Sequence, residues 1–294
     1  MATLEDVQER LVDLSDRAGA AVVGIGHRWA LGSGVVVAPG RVLTNAHNLR
    51  RDEVTVTFAD GRSEIGRPAG VDVDGDVAIV EVDTGDAPAI EWNGGSSVGI
   101  GTPVFALANP GGRGLRVTFG FVSGTERSFR GPRGRRISGS VEHTAPLLPG
   151  SSGGPIVDGS GHFLGLNTNR LGEGFYLAIP ADDSLKERVD RLASGTSPRT
   201  RRIGVAIAPP EVGRRLRKAV GLPEATGLLV RGVEEASVAA GAGIQEGDLL
   251  IEAAGRALDS ADTLFEVLEA AGSSISLKFL RGVEENSVEV QLDA

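Results

Sequence analysis

Apolar positions recur at helical spacing at the start of the chain. Leu4, Val7, Leu11 and Leu14 share one face and acids occupy the other, which predicts an amphipathic helix over residues 3–18. Beyond Ala21 the period shortens. Short β-branched runs such as Ala21–Ile25, Gly34–Val37, Val42–Thr44, Val54–Phe58, Val77–Val82, Val117–Val122, Pro155–Val157 and Leu164–Asn167 continue to about Ile179. The turn pairs Pro39-Gly40, Asp60-Gly61, Asp74-Gly75 and Asp158-Gly159 separate them. Many short strands without long intervening helices predict an antiparallel sandwich or barrel. A helix is expected over Ala181–Leu192, and the small, polar and basic stretch Ala193–Arg202 has the composition of a linker. The remainder reads as a strand-rich module with a helix over Ser260–Ala271, capped by Ser260. The expected division is a helical segment at 1–19, a β-rich domain at 20–192, a linker at 193–202 and a second domain at 203–294.

A length of 294 residues agrees with two domains at roughly 150 residues each. Aromatics are 4% of the chain, so the core must be built from Val, Leu, Ile and Ala. The formal charge of −9 argues against a nucleic-acid partner, which usually meets a basic face. The absence of Cys excludes disulfide frameworks, Cys–zinc sites and thiol catalysis, and no metal or other cofactor is expected. No apolar run is long enough for a membrane span. The N-terminus as written lacks a basic start and an apolar core, which predicts a cytoplasmic chain, or an extracytoplasmic one if the N-terminus has been processed.

Three strings could carry chemistry. Pro149-Gly150-Ser151-Ser152-Gly153-Gly154-Pro155 would expose a hydroxyl on a tight turn beside backbone N–H groups, as a serine nucleophile needs, although a Gly/Ser-rich loop looks the same. Leu43-Thr44-Asn45-Ala46-His47 offers a general base. Asp76-Val77-Ala78-Ile79-Val80 places an acid at the mouth of an apolar strand, with Asp72 and Asp74 as rival carboxylates. The order His47, Asp76, Ser152 in an all-β context is the chymotrypsin chain order, and the conjunction is more specific than any member alone.

These strings and others resemble the HtrA/Deg family of trypsin-like serine proteases joined to a PDZ domain. The likeness runs through Gly32-Ser33-Gly34, Thr44–His47, Asp76–Ala78, Asn109-Pro110, Val117–Ser123, Gly150–Pro155, Leu164–Thr168 and Tyr176–Pro180. The resemblance implies a chymotrypsin-like double β-barrel followed by an α+β PDZ domain. It implies Ser152 as nucleophile, His47 as base then acid, Asp76 as orienting carboxylate, and an oxyanion hole from Gly150, Ser151 and Ser152. It places the primary specificity (S1) pocket at Pro146 and Leu147 with a wall of Leu166, Asn167 and Thr168. No acid lies among those residues, so an apolar P1 side chain is expected. Ser151, Thr144 and Leu148 stand where the family usually has Asn, Asp and Asn.

In the second domain, Gly227–Val230 and Ala240–Asp248 are similar to PDZ segments. The likeness implies a peptide groove at Ile203, Gly204 and Val205, with Leu264 and Leu268 on the far wall or, equally, in the core. Arg127, Arg130, Arg133, Arg135 and Arg136 read as a solvated loop that corresponds to a regulatory loop in the family, while His143 and His162 read as structural. The implied function is ATP-independent cutting of unfolded or misfolded protein, with peptide C-termini as PDZ partners and a trimer as the family assembly. The rival is a proteolytically silent peptide-binding or chaperone-like protein of the same fold.

Overall fold

The structure, a computed structural model, describes residues 4–26, 31–92, 98–132, 134–172, 174–198 and 201–292; His27, Trp29 and Arg133 lie outside that set. The chain divides into two units, residues 1–198 and 199–294. The first begins with α1 (Leu4–Arg17) and continues through β1 (Val22–Ile25), β2 (Gly32–Ala38), β3 (Arg41–Thr44), β4 (Val54–Thr57), β5 (Ser63–Asp72) and β6 (Val77–Glu81). These strands close into a barrel in the order β1-β2-β3-β6-β5-β4. Then come β7 (Pro103–Ala108), β8 (Arg116–Arg130), β9 (Arg136–His143), β10 (Pro155–Val157), β11 (Phe163–Gly172) and β12 (Phe175–Pro180), followed by α2 (Asp183–Ala193). They form a second closed barrel, ordered β10-β11-β12-β9-β8-β7. Closure pairs every strand on both sides and removes the exposed edges of an open sheet.

Aliphatic residues make the core. Val23, Val36, Val56 and Val80 fill the first barrel, and Val104, Val141, Ile156 and Leu164 the second. A third cluster joins Leu43 and Ile79 of one barrel to Leu107, Phe163 and Leu166 of the other, and Leu185 and Leu192 of α2 enter it. Leu14 carries α1 into the same seam, fully buried; the side chains of Leu4 and Val7 lie outside the described set. The barrels approach so closely that a Cβ on Gly24 would lie 1.9 Å from the Gly112 nitrogen. A side chain there would force the barrels apart.

The second unit is a sheet with packed helices. Its elements are β13 (Val205–Ile207), α3 (Pro210–Ala219), β14 (Leu228–Val233), α4 (Val238–Gly241), β15 (Leu249–Ala253), β16 (Arg256–Ala257), α5 (Ala261–Ala270), β17 (Ser274–Arg281) and β18 (Glu284–Gln291). The strands run β13-β14-β15-β17-β18, with β16 paired to β15. Ser260 caps α5 by accepting from the Thr263 N–H, which holds the first turn. Arg281 grips the buried Asp248 through two hydrogen bonds of 2.9 and 2.8 Å. Among the described residues no helix is long and apolar enough to cross a membrane.

Two elements differ from expectation. The arginine-rich stretch is the far end of a β8–β9 ribbon, not a free loop, and Arg127 and Arg135 pair with Glu142 and Asp74. Helix α3 falls where no element is expected.

Candidate active site

The nucleophile turn is built by local geometry. Ser151 N–H donates to the Leu148 carbonyl at 3.1 Å, and Gly150 has φ 89°. A positive φ at the third residue of a turn closed in this way is the type II signature, and glycine adopts it without strain. Gly153 follows at φ 88°, and a Cβ there would lie 2.1 Å from the Ser33 carbonyl oxygen. Ser33 on β2 clasps the turn from the other barrel. Its N–H donates to Ser152 O at 2.9 Å and its hydroxyl donates to Gly150 O at 2.9 Å. Asn48 Nδ2 adds a bond to Ser152 O at 3.0 Å.

His47 lies in the short turn Ala46–Asn48 that follows β3. Its Nδ1 is 2.9 Å from both carboxylate oxygens of Asp76, and its backbone N–H donates to Oδ1 at 3.1 Å. Asp76 is 1% exposed, and Thr168 Oγ1 donates to its Oδ2 at 2.6 Å. A buried carboxylate needs such donors, because unpaired charge away from water is costly. Asp76 has φ 53°, a left-handed conformation that Asp tolerates better than most residues. Asn45 Nδ2 holds its carbonyl at 2.9 Å. Asp72 Oδ1 accepts the Gly75 N–H at 2.8 Å, so Asp72 shapes this turn while Asp76 faces His47.

Ser152 lines the same cleft of about 480 Å³ as His47 and Asp76. Its hydroxyl donates to the Thr168 carbonyl at 3.1 Å, and it makes no hydrogen bond to His47 in this arrangement. Bonds between a nucleophile and its base are often long or misaligned before substrate arrives. The N–H groups of Gly150 and Ser152 have no protein acceptor among the described residues. Ser151 N–H is committed to Leu148 O, so the expected oxyanion donors narrow from three residues to two. The site joins a hydroxyl, an imidazole oriented by a buried carboxylate, and two unengaged N–H groups, the equipment for nucleophilic acyl transfer.

The cleft wall is only partly the expected one. Leu147 and Thr168 line it, but Pro146 is exposed and forms no part of it. Leu166 is in the core. Asn167 is buried, with Oδ1 accepting from His143 Nε2 at 2.9 Å. A register shift between β11 and β12 at Asn167–Asn169 separates these inward residues from Asn169 and Arg170, which line the cleft with Tyr176. Beneath Tyr176 the His143 ring stacks at 5.8 Å, and burial lowers its pKa to about 4. His162 bonds Asp158 on the surface.

In the second unit, Gly204 has φ 78°, and a Cβ there would meet Ser237 Cβ at 2.3 Å. Ile203 is buried, Val205 is half-buried, and β13 is an edge strand. Leu264 and Leu268 are each 2% exposed and belong to the core, the second of their two expected placements and not the groove wall.

Comparison with known proteins gives a consistent result. The trypsin-like peptidase domain family matches residues 32–166 and the PDZ domain family residues 229–281. HhoA of Synechocystis sp., named as a putative serine protease, is 32% identical over 278 residues, covering 88% of this chain and 70% of the relative. A protein of Halomonas elongata named as a probable periplasmic serine endoprotease, DegP-like, is 30% identical over 272 residues, 90% of this chain. This chain spans 56% of that relative's length, and likewise 56% of a DegP-like relative from Pseudomonas fluorescens. Among solved structures, a serine endoprotease from Yersinia pestis aligns with a TM-score of 0.63 at 26% identity, covering 96% of this chain and 97% of that one. The HtrA-type protease AlgW, solved with a tripeptide, aligns at 0.59 and 27% identity, with 96% of each chain covered.

Proposed function

The chain belongs to the HtrA/Deg family of trypsin-like serine proteases with a PDZ domain, and from that premise we propose that it is an ATP-independent serine endopeptidase acting on unfolded or misfolded protein. In this reading Ser152 Oγ turns from the Thr168 carbonyl toward His47 Nε2 and attacks the scissile carbonyl. His47 takes the hydroxyl proton, and ionised Asp76 stabilises the imidazolium. The oxyanion accepts hydrogen bonds from Gly150 and Ser152 N–H. His47 then passes the proton to the leaving amine, and a water activated by the same imidazole releases the acyl group.

The observation that carries the proposal is the clasped turn. It holds two N–H groups that have no acceptor among the described residues next to a hydroxyl, in the cleft where His47 is bonded to a buried carboxylate. The PDZ domain is proposed to bind peptide C-termini along β13 beside Gly204 and to regulate cutting, and the assembly is proposed to be a homotrimer. The periplasmic names of two relatives suggest work outside the cytosol.

Casein hydrolysis by the purified chain, lost in Ser152→Ala, tests the proposal against the proteolytically silent alternative. Leu147 and Tyr176 line the cleft and, among the described residues, no acid joins them apart from the engaged Asp76, so Val, Ala or Leu is expected at P1. A clear P1 Arg preference in a peptide library would contradict this assignment.

A further inference from the structure

The cleft beside Ser152 is lined by two arginines, Arg130 from the β8–β9 ribbon and Arg170 from β11, whose charge the proposed chemistry does not use. β10 pairs with β11 only from Phe163 to Leu166, so residues 168–172 have β12 on one side and an open edge on the other. The Thr168 carbonyl lies 3.1 Å from Ser152 Oγ, which fixes where this edge meets the nucleophile. Two residues further out, Arg170 lines the same cleft.

The Arg170 side chain is held in place. Nε donates to the Gly172 carbonyl at 2.7 Å, and the guanidinium lies over the Tyr176 ring, 5.9 Å from its centroid. Neither contact neutralises it, and among the described residues no carboxylate pairs with Arg170. Among the described residues Asp76 is the one acid lining the cleft, and it is buried against His47 and Thr168. The Arg170 N–H is held by the Asn169 side-chain oxygen at 2.8 Å, a local contact that the carbonyl of an added strand displaces.

An extended peptide adding antiparallel to this edge places the residue bearing the scissile carbonyl (P1) opposite Thr168. The two-residue period of a strand then places P3 opposite Arg170, with both side chains on one face and Cβ atoms about 5 Å apart. We propose that Arg170 is a specificity-determining residue that selects an acidic P3 side chain through its guanidinium. This inference rests on the endopeptidase reading.

The test uses internally quenched peptides with Val at P1 and Glu, Gln or Lys at P3, cut by the full chain, with fluorophosphonate labelling of Ser152 run in parallel. Arg170 is exposed, so each charge step is expected to change kcat/KM by about two- to fivefold at low salt, in the order Glu, Gln, Lys. The spread should shrink as salt rises. Arg170→Gln should level the series and Arg170→Glu should invert it. Equal cutting of the Glu and Lys peptides by a chain that labels at Ser152, or an unchanged ranking in Arg170→Gln, overturns the role of Arg170 and leaves the endopeptidase reading intact. A folded chain that neither labels nor cuts overturns that reading, and the role of Arg170 falls with it.

Discussion

Replacing Thr168 by Val would remove one donor from the carboxylate at the centre of the site while keeping the side chain's shape. Asp76 is 1% exposed, and its contacts are the His47 backbone N–H at 3.1 Å, His47 Nδ1 at 2.9 Å and Thr168 Oγ1 at 2.6 Å. A hydrogen bond to a charged group contributes about 1.5–3 kcal/mol, and a buried acceptor left unpaired has no water to replace the donor. The expected loss is therefore about 2 kcal/mol of stability, a fall of roughly 4–8 °C in the melting temperature for a domain of this size. Turnover should fall as well, because the carboxylate loses one of the anchors that fix the His47 ring; we expect about a tenfold drop in kcat/KM, comparable to about 1.4 kcal/mol. Thr168→Ser retains the hydroxyl and should recover most of both losses. The Thr168 carbonyl that receives Ser152 is unchanged in either variant, so the effect isolates the Asp76 contact. Thermal scans and peptide hydrolysis on the three proteins make the measurement. Wild-type melting and turnover in Thr168→Val would show that this bond does not hold the carboxylate.

Further outcomes follow from neighbouring contacts. Gly150→Ala puts a Cβ 2.9 Å from Pro110 Cβ at a residue with φ 89°, so the type II turn should give way and kcat should fall at least about 100-fold, as for loss of an oxyanion donor; near-normal hydrolysis would refute this geometry. His143 is neutral when folded, with a pKa lowered by burial to about 4, while the unfolded chain protonates near its ordinary value of about 6.5. Between those values the unfolded state binds the extra proton, so stability should fall as pH drops from 6.5 to 4, by up to about 3 kcal/mol, and change no further from this group below 4. Urea unfolding of wild type and His143→Gln at pH 7, 5 and 4 checks it, and parallel pH profiles would rule His143 out as the source.

The barrels are legible from short β-branched runs punctuated by Gly and Asp turns, and the segments bearing His47, Asp76 and Ser152 stand out as short strings in the sequence. The choice of Asp76 over Asp72 was not readable from spacing. It depends on a left-handed turn in which Asp72 caps Gly75. The cleft wall was misplaced at Leu166 and Asn167 because the β11–β12 register shifts at Asn167–Asn169, and pattern alone does not reveal a bulge. The end of the β8–β9 ribbon, with most of its arginines half-buried or exposed, lacks the apolar alternation that marks a half-buried strand. Helix α3 carries Gly213, a poor helix former, at a point where a Cβ would meet Leu229 Cβ at 3.2 Å, so packing there favours the residue that helix propensity opposes. Ser33 was visible only as part of a Gly-Ser-Gly string. Its tie to the nucleophile turn spans more than a hundred residues and exists only once the barrels have docked.

The most direct test is the intact mass of the purified chain after exposure to a fluorophosphonate. One adduct at Ser152, absent in Ser152→Ala and strongly slowed in His47→Ala, is the predicted result. A folded wild-type protein that stays unmodified would contradict the account.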